Sequence, residues 1–210
     1  MSKDIALTDV ASIYLASKSP RRMELLRQIG VEFEELRVRE SDGRRRDVIE
    51  TPRKDEPALN YVKRIARTKA VVGWHQMNRR KLPPRPVLAA DTEVVVDGAV
   101  LGKPADAVNA MAMLERLSGN THAVLTAVAV RWHAQIVLAV STSQVTFRAL
   151  TQDDIERYVA TGEPFDKAGG YAIQGRAAAF IRHLRGSYSG VMGLPLFETT
   201  EILAKIGYHD

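Results

Sequence analysis

A strand that runs directly into a positively charged helix start constrains this chain more than any other stretch. Residues 12–16 (SIYLA) form a short apolar segment typical of a buried strand. Ser19 suits the N-cap and Pro20 the first helical position, and the apolar spacing that follows continues to a terminating glycine, Gly30. The N–H groups and the positive dipole end of such a helix bind anions. The stretch therefore predicts an anion site between strand and helix.

Hydroxyl and guanidinium groups cluster at this helix start, where Ser17, Ser19, Arg21 and Arg22 lie within six residues. Helical spacing places Arg22 on the inward, apolar stripe and Arg21 at its margin, so both are predicted to reach a cleft. A cap followed by two ordinary surface arginines would give the same pattern. The grouping of all four residues favours a phosphate ligand.

The amino-acid composition narrows the classes of binding partner but does not identify one. The formal charge of +5 and the pI near 9.6 favour an anionic partner, whether nucleic acid, acidic lipid or nucleotide phosphate. The absence of cysteine excludes disulfides, thiolate metal sites and a cysteine nucleophile. No apolar run is as long as a membrane span and the first residues lack a signal peptide, so we expect a cytoplasmic protein without a membrane partner.

The next notable feature is a lysine on the apolar side of a predicted helix. Residues 39–57 are polar and of mixed charge, which predicts a long exposed loop. A helix is then predicted over residues 58–73, followed by a proline-containing connector over residues 74–86. Lys69 projects from the middle of the apolar stripe of this helix. Its ammonium either snorkels to water or points into a cleft that holds phosphate.

Two further segments combine buried strands or glycines with ionisable groups. Residues 87–90 are an apolar strand predicted to end at Asp91, and Asp97-Gly98 predicts a hairpin turn before a helix that opens at Pro104. A carboxylate at the end of a buried strand is either functional or capped by the next turn. Residues 162–175 are rich in glycine and polar groups, which is typical of a ligand loop or of a tight loop held by an Asp166–Lys167 ion pair.

Three of these segments together carry a family resemblance. Residues 15–26 (LASKSPRRMELL), 86–104 (PVLAADTEVVVDGAVLGKP) and 162–175 (GEPFDKAGGYAIQG) resemble, in this order, the motifs of the Maf family of nucleoside triphosphate pyrophosphatases. The resemblance covers nearly the whole chain. It implies a single α/β domain over residues 1–210, with a mixed curved β-sheet, flanking helices and two lobes around a deep cleft.

The resemblance also implies the reaction and its residues. Water would attack the α-phosphorus of a nucleoside triphosphate, with Asp91 as general base and a divalent cation, Mg²⁺ or Mn²⁺, as cofactor. The metal would be held by Asp91 and by a carboxylate of the 39–57 loop, for which Asp42 is the nearest candidate and Glu40 the next. The residues implied in phosphate binding are Ser17, Ser19, Arg22, Lys69, Lys103 and Lys167.

Base selectivity rests on three positions. Arg21, Thr92 and Gln174 match residues associated with the family branch that hydrolyses dTTP and UTP. The alternatives are a 7-methyl-GTP pyrophosphatase of the same family and a nucleic-acid-binding regulator of septum formation, although the sequence has no helix-turn-helix, aromatic-rich binding strand or zinc motif. The expected partner is a nucleoside triphosphate, without stable nucleic-acid binding, and a homodimer is left open.

Overall fold

The computed structural model describes residues 11–38, 48 and 50–208. Within them the chain forms a mixed α/β structure. The strands are β1 (Ile13–Leu15), β2 (Phe33–Glu35), β3 (Val87–Val96), β4 (Ala99–Leu101), β5 (Thr121–Trp132), β6 (Gln135–Phe147) and β7 (Ile181–Arg185). The helices are α1 (Pro20–Gln28), α2 (Ala58–Arg79), α3 (Ala107–Leu117), α4 (Gln152–Ala160), α5 (Tyr188–Met192) and α6 (Leu196–Ala204), and two short 3₁₀ segments span Ala168–Gly170 and Arg176–Phe180.

All these strands join one sheet in the order β2-β1-β3-β5-β6-β7, with β4 added to the end of β3. β1 is parallel to β2 and β3, and the other pairings are antiparallel. On one edge, β3 pairs with β1 as far as Leu88 and with β4 from Val94 onward. Among the described residues, the stretch 89–93 therefore has strand pairing only to β5. This gap in the sheet contains Asp91, Thr92 and Glu93.

The buried side chains form three clusters. Two of them lie on opposite faces of one part of the sheet, which we call the first lobe, and the third forms the second lobe. In the first lobe, α1 and α6 pack on one face of the sheet and α2 packs on the other. In the second lobe, α3, α4 and the 3₁₀ segments pack against the far ends of the long strands. β3 contributes Leu88 and Ala89 to the first lobe and Val94 to the second. The predicted mixed sheet with flanking helices is confirmed.

The sequence-based boundaries of two helices are wrong. α2 continues six residues beyond the predicted end at Gly73, because the disrupting prolines begin only at Pro83 and the buried stripe extends to Met77. α3 begins at Ala107 rather than Pro104, because the Asp106 carboxylate caps the helix by accepting a 2.8 Å hydrogen bond from the Asn109 N–H group.

The sequence predicted that a strand ends at Asp91, and this prediction is wrong. Asp91 lies in the middle of β3, opposite Ala127 of β5, because the antiparallel pairing continues without interruption from Val87 to Val95. The predicted hairpin turn is confirmed, since Asp97 and Gly98 both have positive φ (51° and 74°) between β3 and β4. No helix among the described residues has the length and apolar character needed to cross a lipid bilayer.

Candidate active site

A cleft of about 660 Å³ opens beside the gap in the sheet, between the two lobes. Its lining includes most of the residues that the sequence singled out. These are Ser19, Arg21, Arg22, Lys69, Thr92, Lys103, Lys167 and Gln174. Ser17 and Asp91 do not line the cleft but are buried next to residues that do. Six of the lining residues are cationic: Lys18, Arg21, Arg22, Lys69, Lys103 and Lys167.

The start of α1 forms one wall of the cleft. Ser19 occupies the N-cap position but makes no side-chain capping bond, and its N–H group donates to Ser17 Oγ at 3.2 Å. Pro20 is the first helical residue and the first turn carries no acidic side chain. The positive end of the helix dipole therefore meets the cleft without a neutralising carboxylate on its own first turn.

Arg22 connects the start of α1 to Thr92 on β3 and to Gly193 at the end of α5. Its Nε donates to the Gly193 carbonyl at 2.8 Å, Nη1 to Ser17 Oγ at 3.2 Å and Nη2 to Thr92 Oγ1 at 3.4 Å. Thr126 Oγ1 continues the network, since it donates to the Gly190 carbonyl at 2.7 Å and lies 3.0 Å from Thr92 Oγ1. Arg22 therefore has a bracing role that the sequence did not predict, in addition to its place in the cleft lining.

Lys69 lies in a buried ion-pair cluster. The residue is only 4% exposed, and its Nζ contacts Asp91 Oδ1 at 2.9 Å and also pairs with Glu50 Oε1. Snorkelling does not describe this lysine, because the ammonium is held by two carboxylates and not by bulk water. Burial raises the pKa of Asp91, although the Lys69 and Arg22 cations act in the opposite direction.

Glu50 is a site residue that the sequence analysis missed. Asp42 and Glu40, the predicted metal carboxylates, lie outside the described residues, whereas Glu50 lines the cleft. A signal was present in the otherwise polar 39–57 segment, because the apolar pair Val48-Ile49 comes immediately before this glutamate. Val48 is buried in the core against α2, which places Glu50 at the cleft.

Glu93 is a second carboxylate that the analysis missed. It lies two residues after Asp91 on β3, so both side chains leave the strand on the same face. Glu93 lines the cleft and is 8% exposed, and burial together with the nearby Asp91 charge raises its pKa to about 8. The signal was a second acidic residue two positions after Asp91, immediately before the apolar residues 94–96. Tyr61 lies close by, and burial and these carboxylates raise its pKa.

The loop after α4 supplies the opposite wall. Lys167 Nζ donates to the carbonyls of Glu163 (2.7 Å) and Phe165 (3.3 Å). The Glu163 carboxylate accepts hydrogen bonds from Tyr158 Oη (2.9 Å) and from the Arg176 N–H group (3.1 Å). The loop is thus held by Glu163, and not by the Asp166–Lys167 ion pair that was the alternative interpretation.

Positive charge is concentrated where this wall faces α1. Burial lowers the pKa of Arg21, an effect that Asp166 opposes. Burial and the Arg21 charge both lower the pKa of Lys167. Gln174 lies nearby on an exposed part of the same wall. A bound anion would relieve the repulsion between Arg21 and Lys167.

The carboxylates of the cleft fit a divalent cation only if other ligands complete its shell. Among the described residues, no group of three or more histidine, aspartate or glutamate side chains is arranged to hold a metal. Asp91 Oδ2 and Glu93 Oε2 are nevertheless buried oxygens without a hydrogen-bond partner. Mg²⁺ is commonly held by one or two carboxylates, with water and substrate phosphate supplying the remaining oxygens.

The α/β fold and this cleft define a class of protein: an enzyme that acts on a phosphate-containing substrate. The cations provide binding for several negative charges, and a buried carboxylate lies among them. Comparison with known proteins agrees with this class. Residues 12–206 match the family described as "Maf-like protein", and the chain belongs to that family.

Three relatives illustrate the similarity. The chain is 55% identical to a "dTTP/UTP pyrophosphatase" of Aromatoleum aromaticum, over 94% of this chain and 97% of the relative. It is 53% identical to a protein of the same name from Nitrosomonas europaea, over 93% and 94% of the two chains. A third relative with this name, from Dechloromonas aromatica, is 50% identical over 93% of this chain and 98% of its own length.

Proposed function

We propose that this protein hydrolyses dTTP and UTP between the α- and β-phosphates, releasing the nucleoside monophosphate and pyrophosphate. The observation that carries the proposal is the cationic cleft built around the buried Asp91–Lys69 pair. The names of its relatives support the choice of substrates. Discarding these nucleotides would be a housekeeping function in nucleotide metabolism.

The triphosphate binds between the two walls of the cleft. The start of α1 offers its dipole and backbone N–H groups, while Lys18 and Arg21 lie on the same wall. Lys103 and Lys167 approach from the second lobe. In the transition state the negative charge is spread over the oxygens of the phosphoryl group that is attacked, so cations on both sides of the cleft lower the barrier.

Asp91 is the proposed general base. Its Oδ1 is held by Lys69, which fixes the carboxyl group and favours its ionised form. Oδ2 has two lone pairs, so it offers one to a proton from water and the other to a cation. The raised pKa makes the carboxylate a stronger proton acceptor than an exposed aspartate. A bound Mg²⁺ or Mn²⁺ would supply Lewis-acid stabilisation of the phosphate charge, and Asp91 and Glu93 carry the unsatisfied oxygens suited to hold it.

Pyrimidine selection is assigned to Gln174, with Arg21 and Thr92 elsewhere in the same cleft. Uracil and thymine present an N3–H donor beside carbonyl acceptors, and a carboxamide both accepts from the first and donates to the second. Cytosine presents a different pattern at N3 and C4, so the same amide would lose a hydrogen bond.

The experiment is to measure pyrophosphate release from dTTP, UTP, CTP, ATP and 7-methyl-GTP with Mg²⁺ or Mn²⁺. We expect turnover of dTTP and UTP well above that of the other three. A preference for 7-methyl-GTP would move the protein to the other branch of the family, and no release from any triphosphate would refute the enzymatic proposal.

A DNA-binding assay separates the enzyme from a nucleic-acid-binding regulator. We expect weak binding to duplex DNA that is indifferent to sequence and lost at moderate salt, since it would reflect only the net charge of +5. A tight, sequence-selective complex that withstands salt would favour the regulator.

A further inference from the structure

We propose that Glu93 is a metal ligand, and that Asp91 and Glu93 together hold the divalent cation of this site. The inference rests on the proposed function, since the cation is the one that assists hydrolysis. It concerns a glutamate that neither the motif analysis nor the relatives' names assign. Three features of Glu93 support this role: its position on β3, its unsatisfied oxygen and the free-energy cost of burying its carboxylate.

The position of the two carboxylates suits a shared cation. They are two residues apart on β3, which puts their Cα atoms about 7 Å apart on one face of the strand. A metal that contacts carboxylate oxygens at about 2.0–2.1 Å lies within reach of both side chains. Because this part of β3 has no strand partner on the cleft side among the described residues, substrate phosphate can approach the same point.

One oxygen of each carboxylate lacks a partner in the described part of the chain. Lys69 holds Asp91 Oδ1 at 2.9 Å, which leaves Asp91 Oδ2 buried and without a hydrogen bond. Glu93 Oε2 is likewise buried and without one, although the residue lines the cleft. The two oxygens therefore supply the hard donors that a divalent cation requires, with the remaining positions open to water and phosphate.

A purely structural role would make Glu93 an expensive residue. The charges acting on it include the carboxylates of Asp91 and Glu50 as well as the Lys69 ammonium, and Lys69 already pairs with both of those carboxylates. Burying a carboxylate next to the Asp91 carboxylate costs free energy that an apolar side chain would avoid. A cation that contacts both groups offsets this repulsion, which gives the glutamate a chemical reason to occupy the position.

The test is Mn²⁺ binding, followed by electron paramagnetic resonance in the presence of the non-hydrolysable analogue α,β-imido-dTTP. The variants are Glu93→Gln, which keeps the shape and removes the charge, and Glu93→Asp, which keeps the charge and withdraws the oxygens by one methylene. Glu115→Gln, an exposed position on α3, is the matched control. Thermal unfolding of each protein checks that the fold is intact.

A direct ligand predicts that both Glu93 variants bind Mn²⁺ about 10-fold or more weakly, while the Glu115 variant binds as the wild type does. Wild-type affinity in Glu93→Asp would show that only the charge matters, and wild-type affinity in Glu93→Gln would show no involvement. Either result overturns the proposal. Mn²⁺ binding is measured without turnover, so it is independent of the activity assay. If the wild type hydrolysed no nucleotide but both Glu93 variants still bound Mn²⁺ more weakly than the wild type, only the proposed function would be refuted.

Discussion

A buried histidine behind the cleft should make the stability of this protein sensitive to mild acid. His122 on β5 is 2% exposed, and its Nε2 is 2.8 Å from the hydroxyl oxygen of Tyr171, a residue of the cleft lining. The rings of Phe147 and Tyr171 meet the imidazole edge to face at 5.2 and 5.4 Å. Burial in this aromatic cluster lowers the pKa of His122 to about 4.

The sign and size of the effect follow from linkage. In the unfolded chain the imidazole has its ordinary pKa of about 6.5, so as the pH falls the unfolded state takes up a proton before the folded state does. The contribution of His122 to the free energy of unfolding is fully present above pH 6.5 and is lost as the pH falls from 6.5 to 4. At about 1.4 kcal/mol for each tenfold difference in proton affinity, the full loss is about 3 kcal/mol, of which about 2 kcal/mol is gone at pH 5.

Urea unfolding at pH 7.5 and pH 5.0 measures this loss. The comparison is between wild type, His122→Gln and, as a control at an exposed position of β7, His183→Gln. We expect wild type and the control to lose about 2 kcal/mol more than His122→Gln between the two pH values. An equal pH dependence in all three proteins would show that His122 is not held neutral by burial.

Four further substitutions test the site. Asp91→Asn should lower turnover by at least about 10²-fold with the fold intact, and near-normal activity would remove Asp91 from the role of base. Lys69→Met should abolish activity and lower the free energy of unfolding by about 3–5 kcal/mol, because it leaves buried carboxylates unpaired. A free energy of unfolding equal to that of the wild type would contradict the ion-pair cluster. Gln174→Leu should raise KM for dTTP and UTP and reduce discrimination against CTP without changing Tm. Gly169→Ala should lower the free energy of unfolding by about 1–3 kcal/mol, since the φ of Gly169 is 71° and the new methyl group would lie 2.8–2.9 Å from Val94 side-chain atoms. Gly102→Ala is the control, because a methyl group added at that position has no atom within 4 Å.

The sequence predicted the parts of the site that depend on local chemistry. Ser19 and Pro20 mark a helix start wherever that helix lies, and the apolar stripe of α2 fixes the side from which Lys69 projects. The family resemblance supplied Thr92, Lys103 and Gln174, and membership of the family is confirmed. Neither source pointed to Glu50 or Glu93. The roles assigned to these residues remain predictions.

Features that depend on distant pairing were not predictable from local patterns. Asp91 follows four apolar residues and so resembles the end of a strand, and only the pairing of β3 with β5 shows that the strand continues. The effect of Lys69→Met shows the same limit. From the apolar stripe of α2 alone, a methionine at position 69 would be expected to preserve stability. The ion pairs that make the substitution destabilising involve Asp91 on β3 and Glu50, which are distant from Lys69 in the sequence.

The continuous strands β3 and β5 have a mechanical consequence for turnover. They cross from one lobe to the other with unbroken pairing between Val87–Arg131 and Val95–Ala123, so the floor of the cleft is one stiff plate. A hinge needs a few residues free to change their backbone angles, and this floor offers none. We therefore expect the width of the cleft to change little when a nucleotide binds, and the proposed pyrophosphate product to leave without a closing and opening cycle of the lobes.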